Sequence, residues 1–312
     1  MSDTHTASSL LLISLSQHLE MPTTVLITLG SSKQAHHLIP IMLAQPDENY
    51  HIKAFCHSLT TGTKLLHKYG QPHNLSIVVG DQNNPREVAK VFENEHVDVV
   101  YHIAPPFSVD EEHNGINFIR AAQKAGVRHF IYSSVLHPIR KKMIHHLAKL
   151  NVEEYLAEST LNYTVLQPTH FFQNINVKAA VDDGSLKVPY NPENEMGFVD
   201  LRDVSEVAFK VIDEGAKHYR ARYELVGDNQ PYSTIAKTIA SVAGKDVVTE
   251  RADAAQVAKV MSKGDKDAYE RAIRMLVYYD SWGLTGSTNI LEWMLGRKPT
   301  SAEDYVKYAL GQ

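Results

Sequence analysis

Residues 25–44 read VLITLGSSKQAHHLIPIMLA. Val25–Thr28 is an apolar run of strand length, Gly30-Ser31-Ser32 a tight loop, and the remainder a helix-length segment reaching about Ala44. Strand, tight loop and helix in that order open the βαβ unit that holds dinucleotides in parallel sheets. Glycines there let the chain turn sharply and let a pyrophosphate approach the helix N-terminus, where the dipole and free N–H groups hold the anion. Where Gly-x-x-Gly-x-x-Gly would fall, this chain has Leu29, Ser32 and Ala35. Alanine in the third place is a mild change, whereas Leu29 and Ser32 add side chains where phosphate and backbone must meet. Gly30, Ser31, Ser32, Lys33 and Gln34 are the candidate cofactor loop, an anion site of a different shape. The other reading is a structural turn that has lost its ligand. Pro40, inside the helix, removes an N–H bond and favours a kink.

The same alternation continues outward. Strands are predicted over His51–Cys56, Leu75–Val79, Val97–Ile103, Phe130–Ser134 and Tyr163–Leu166. Helices are predicted over Pro85–Asn94, Glu112–Ala125 (closed by Gly126) and residues 143–158. This spacing implies an α/β fold, a doubly wound parallel sheet with right-handed crossovers, of the Rossmann type. Beyond Pro168 the rhythm loosens into helices at Val199–Glu214 and Tyr232–Ala243 with a strand at Arg222–Val226 between them. The last quarter is helical and aromatic, with Tyr278, Tyr279, Trp282, Trp293 and Tyr305. The expected organisation is a loose tail over residues 1–20, a dinucleotide-type domain over 21–167 and a smaller, mainly helical lobe over 168–312, with an interleaved boundary. Met1 and Met21 both stand as possible starts.

Composition narrows the function classes. A length of 312 residues, 43% hydrophobic and 21% charged, predicts a packed globular chain. Net charge is −5, and the densest basic run is Arg140-Lys141-Lys142, too narrow for a nucleic-acid face. Cys56, the single cysteine, excludes an internal disulfide and fits a reducing compartment. No apolar run nears the ~18 residues needed to cross a bilayer, and Leu10–Leu15 lacks the positive flank of a signal peptide. A cytoplasmic location is the expectation. The 17 histidines lack metal-ligand spacing, so no metal is expected. Hydrolase and NTPase readings lack a Gly-x-Ser-x-Gly or P-loop motif.

Several segments resemble the NmrA-like family of atypical short-chain dehydrogenases/reductases. They are GINFIRAAQKAGVRHF at 115–130, SSVLHP at 133–138, Lys149 with VEEYL at 152–156, and YTVLQPTHF at 163–171. GLTG at 283–286 and LEWMLGRKP at 291–299 are similar to a tail of fungal members. The likeness runs from about residue 22 to 308. It implies a Rossmann domain, NADP or NAD in the cleft and a substrate pocket under the C-terminal lobe. It does not imply one activity, because the family includes reductases and non-catalytic dinucleotide-sensing regulators. The 2′-phosphate arginine of many members is here His57, a weaker and pH-dependent substitute. The reductase pair Tyr-x-x-x-Lys occurs nowhere in the chain.

By this resemblance Lys149 stands at the active-site lysine, with His145 in the tyrosine's place and on the same helix face. His145 would donate a proton to a carbonyl, enone or imine, its pKa lowered by Lys149. Alternatively, His145 and His146 are polar surface residues. Ser133 and Ser134 would bond the same substrate atom, or merely end a strand. Asp81 would lie near adenine, or form a turn. Ile103, Ala104 and Pro105 would wall the nicotinamide side, and His170, Phe171 and Asn174 would line the substrate pocket.

The resulting expectation is an NAD(P)H-dependent oxidoreductase reducing a C=O, C=C or C=N bond of a small organic molecule, in fungal secondary metabolism. Two alternatives stand beside it: a dinucleotide-sensing regulator acting through a protein partner, and a cofactor-free isomerase or cyclase.

Overall fold

The computed structural model describes residues 21–105 and 107–312; the tail expected over 1–20 lies outside the described residues. Six strands, β1 (Thr23–Ile27), β2 (Tyr50–Cys56), β3 (Leu75–Val79), β4 (Val99–Ile103), β5 (His129–Ser133) and β6 (Tyr163–Pro168), alternate with five helices. These are α1 (Lys33–Leu43), α2 (Leu59–Lys68), α3 (Pro85–Asn94), α4 (Glu111–Ala125) and α5 (Ile144–Glu158). There follow β7 (His170–Phe171), α6 (Val177–Asp183), β8 (Ser185–Val188), β9 (Glu195–Val199), α7 (Leu201–Glu214) and β10 (Ala221–Leu225). The chain closes with β11 (Asp228–Pro231), α8 (Tyr232–Ala243), β12 (Val248–Arg251), α9 (Ala254–Ser262), α10 (Lys266–Trp282), α11 (Asn289–Leu295) and α12 (Ala302–Leu310).

The main sheet has the order β10-β6-β5-β4-β1-β2-β3, and every pair in it is parallel. Chain order reverses between β1 and β4, so the connections leave in opposite directions there and open a crevice at the carboxyl ends. Alternation along each strand sends its side chains to two cores. Val25, Ile27, Ile52 and Val99 meet Leu38, Ile39 and Met42 of α1 and Val204, Val207 and Val211 of α7. Leu26, Val100, Phe130 and Val165 meet Val88, Phe118, Ile119, Val152 and Leu156 on the other face. The fold is the expected α/β Rossmann-type architecture. Helix α1 runs through Pro40 to Leu43, and the His36 carbonyl that Pro40 cannot serve accepts from the Tyr69 hydroxyl at 3.3 Å.

The C-terminal part is mainly helical, as expected, with seven helices from α6 to α12, and it also carries strands that the sequence did not announce. It holds a three-stranded sheet, β11-β9-β7, and a parallel β8–β12 pair around a third core containing Phe172, Phe198, Tyr232 and Tyr279. Val199 ends β9 rather than starting a helix; Asp200 caps α7, its carboxylate accepting from the Arg202 N–H at 2.7 Å. Helix α2, not assigned from sequence, reads LTTGTKLLHK and is weak in intrinsic propensity. Ser58 caps it, and Gly62 lets it approach β3, since a Cβ there would lie 2.4 Å from Ile77 Cγ2. Strand β10 and helix α7, both beyond residue 168, complete the main sheet and its α1-side core.

Candidate functional site

A cavity of about 520 Å³ opens at the carboxyl ends of β1, β4 and β5. The β1–α1 turn contributes Leu29, Ser32, Lys33 and Gln34; the end of β4 gives Ile103 and Ala104; Phe107 follows. Glu111 opens α4, while Ser133, Ser134 and Val135 end β5. His145 and Lys149 project from α5, and Pro168, Thr169, Phe171 and Asn174 close the side toward the second lobe. Apolar walls thus surround a small number of polar groups, the usual make-up of a small-molecule site.

The single glycine of the turn does a different task from the one its type suggests. Gly30 is buried, its N–H donates to Phe55 O at 2.9 Å, and a Cβ would lie 2.7 Å from Ala54 Cβ. It brings the turn against β2 and does not line the cavity. We expect Gly30→Ala to cost about 1–3 kcal/mol, because the new methyl group in the turn and the Ala54 methyl group of β2 cannot both stay. Urea unfolding of the variant checks this, and an unchanged midpoint would overturn it.

The anion-holding features sit one residue later. Ser32 caps α1, its hydroxyl accepting from Ala35 N–H at 3.1 Å, while the Lys33 and Gln34 N–H groups have no acceptor among the described residues. Lys33 Nζ donates to Gln173 O at 2.9 Å and Asn174 Oδ1 at 3.2 Å, spanning the cleft mouth. Two free N–H groups, a helix N-terminus and an ammonium fit a pyrophosphate without a glycine-rich loop. Gln34 turns inward instead, its Oε1 accepting from Tyr101 OH at 3.0 Å and Ser133 OH at 2.8 Å.

Lys149 is held by a partner that the sequence did not suggest. Its Nζ lies 2.5 Å from Glu111 Oε1 and 5.7 Å from the centre of the Tyr132 ring. Glu111 is 1% exposed, so this is a buried ion pair whose two charges cancel at the cavity floor. His145 and His146 are both buried, which removes the surface reading. The His145 ring packs on Phe107 and His146, with centroids 5.3 and 4.5 Å apart. Burial first, then His146 and Lys149, holds its pKa well below 6.5. At neutral pH it is an uncharged imidazole offering a neutral N–H rather than an imidazolium proton.

The serines are committed as donors elsewhere. Ser133 gives its proton to Gln34, and Ser134 donates to Glu153 Oε1 at 2.5 Å, where Gln167 Nε2 also bonds. Toward the cavity both present lone pairs.

The cavity thus gathers Ser32, Lys33, Gln34, Ile103, Ala104, Ser133, Ser134, His145, Lys149, Phe171 and Asn174. Six other candidates do not line it. Gly30 faces β2, and Ser31 and His57 are exposed, His57 just past β2. Asp81 forms an Asx turn, its Oδ1 accepting from Asn83 N–H at 2.9 Å, and Pro105 lies just outside the wall. His170 packs its ring edge on Tyr279, 4.8 Å between centroids. Sequence reading missed Glu111, Tyr101 and Phe107. Glu111 lies 38 positions from Lys149, and no local pattern announces an ion pair closed by the packing of α4 on α5.

The model of the NmrA-like family matches residues 21–308, nearly the whole described structure. The chain belongs to the NmrA-like family. The NAD(P)H azoreductase of Xenophilus azovorans is 26% identical over 173 residues, 54% of this chain and 58% of that protein. The curated relatives are matched over 35–58% of their own length. Among solved structures, an NADPH-dependent quinone oxidoreductase of Escherichia coli complexed with NADPH superposes with a TM-score of 0.76 at 21% identity. That likeness covers 92% of this chain and 99% of that one. The negative transcriptional regulator NmrA in complex with NAD gives a TM-score of 0.72 at 17% identity, covering 92% and 95%. Likeness at such identity shows that these NmrA-like and reductase structures share this chain's fold.

Proposed function

We propose that this NmrA-like protein is an NAD(P)H-dependent oxidoreductase of the atypical short-chain type. It reduces a C=O, C=C or C=N bond of a small organic molecule, in the cytoplasm and in fungal secondary metabolism. One observation carries this reading: the first residues of α1, whose N–H groups have no acceptor among the described residues, and Lys149 line a single cavity at the sheet's switch point. Similarity to an NAD(P)H azoreductase and to an NADPH-dependent quinone oxidoreductase points the same way.

A bound dinucleotide supplies the hydride. Ser32, Lys33 and the first N–H groups of α1 hold its pyrophosphate; Gly30, Ser31 and Gln34 shape the turn around them. His57 and Asp81, just past the carboxyl ends of β2 and β3, would meet the 2′-phosphate and the adenine. Ile103, Ala104 and Pro105 wall the nicotinamide side. Lys149 holds a proton at Nζ and presents it to the acceptor's oxygen or nitrogen, and Glu111 fixes its position. His145 offers a neutral N–H to the same atom, and the lone pairs of Ser133 and Ser134 orient any substrate hydroxyl. Phe107, Phe171, Asn174 and the neighbouring His170 shape the space left for substrate.

A second reading, a dinucleotide-sensing regulator that works through a protein partner, is favoured by the neutralisation of Lys149 by Glu111 and by the absence of Tyr-x-x-x-Lys. Calorimetric titration of NADPH and then NADH tests the common premise. Micromolar binding is expected, and Lys33→Ala should weaken it about tenfold through loss of one phosphate contact. Absence of heat at millimolar dinucleotide would exclude both readings and leave a cofactor-free isomerase or cyclase.

A further inference from the structure

Among the described residues nothing packs on the outer face of α10, which carries a groove of about 350 Å³. Ile273, Val277 and Trp282 form its apolar floor, with Val277 57% and Trp282 70% exposed. Cations ring it. Lys142 lies over the Trp282 ring at 5.9 Å, Arg140 over Tyr278 at 5.8 Å, and Arg274 lines one side. Lys141 is exposed beside Lys142, and no acidic residue lines the groove among the described residues. Arg274 alone has a carboxylate partner along the helix, Glu270 at 2.6 Å. The densest basic run of a chain with net charge −5 is thus folded against an exposed tryptophan.

We propose that this groove docks an acidic amphipathic peptide segment of a partner protein. An aliphatic side chain of the peptide enters between Val277 and Trp282, and its carboxylates meet Lys142, Arg140 and Arg274. Charge complementarity selects the occupant: clustered cations around an apolar slot reward carboxylates flanking a hydrophobic anchor. The surface is concave, so a short acidic segment fits it better than a flat anionic bilayer.

Trp282 reports on the groove directly. The chain has two tryptophans, and Trp293→Phe leaves Trp282 alone. That variant is titrated with a synthetic Glu/Leu amphipathic peptide lacking tryptophan. The expected result is a blue shift of Trp282 emission, saturating at micromolar peptide and weakening about tenfold as salt rises toward molar. Adding Lys142→Glu and Arg274→Glu should abolish the shift, with the circular dichroism spectrum unchanged. No shift at millimolar peptide, or an equal shift with a Lys/Leu peptide, overturns the proposal. It also falls if phosphatidylserine-containing vesicles shift Trp282 where the peptide does not, or if Trp282 is already covered by self-association in sedimentation. None of these readouts involves a dinucleotide, so their outcome is independent of the reductase reading.

Discussion

Lys149→Met is expected to reduce turnover about 10²- to 10⁴-fold, the range for losing a positioned proton donor. It should also destabilise the protein by about 3–5 kcal/mol, because the Glu111 carboxylate would remain buried with no cation beside it. Those two losses have different causes and can be separated. In the double variant Glu111→Leu/Lys149→Met the pair is replaced by apolar side chains in apolar surroundings. Such replacements are often neutral or stabilising, so unfolding midpoints should return to about the wild-type value. Turnover should not return. An active double variant would show that Lys149 serves packing alone. A single variant as stable as wild type would mean that Glu111 does not depend on this partner. Steady-state reduction of a quinone by NADPH, paired with urea unfolding, provides both readouts.

A second large effect is acid lability. Burial, the leading cause in every case, holds His102 and His146 down to about 3 and His129 and His170 to about 4. His145 lies well below 6.5 as well. In the unfolded chain each takes a proton near pH 6.5, whereas the folded protein refuses it until far lower pH. The stability from keeping these rings neutral is therefore fully present above about pH 6.5 and drains away as pH falls toward 4. Each ring contributes up to about 1.4 kcal/mol per pH unit in that window. Five acting together approach about 7 kcal/mol per unit, comparable to the whole stability of a typical domain. Melting temperature should fall by about 10 °C between pH 6 and pH 5, with cooperative unfolding before pH 4. Calorimetry across that range reads it out. A melting temperature that is flat from pH 6.5 to 5 would show that the rings are hydrated or partnered in solution.

The gap between sequence and structure follows the range of the interactions involved. The sheet was legible because β1, β4, β5 and β6 are buried on both faces and therefore read as apolar runs, while β2 opens by alternating. Helix ends announced themselves through local chemistry, as with Pro85 opening α3 and Gly126 closing α4 in the left-handed region. Strands β8, β9, β11 and β12 escaped notice. They are four or five residues long, and Asp228–Pro231 carries no alternation; pairing with β9 holds it, not propensity. The site divides in the same way. Ser32, Lys33, Ser133, Ser134 and Lys149 stand out because they end strands or follow a turn or motif.

The chain by itself determined the alternation of β1–β6 with helices, hence a parallel sheet, and the turn that leads into α1. All of these are written in burial period and local capping. Only the tertiary structure decided that Glu111 neutralises Lys149, that His145 is buried and uncharged, and that Gly30 serves β2 rather than a phosphate. It also decided that both serine protons point away from the cavity. Those facts arise from contacts between residues far apart in sequence, where desolvation sets the charge state, and a linear pattern carries no signal of what will be desolvated beside what.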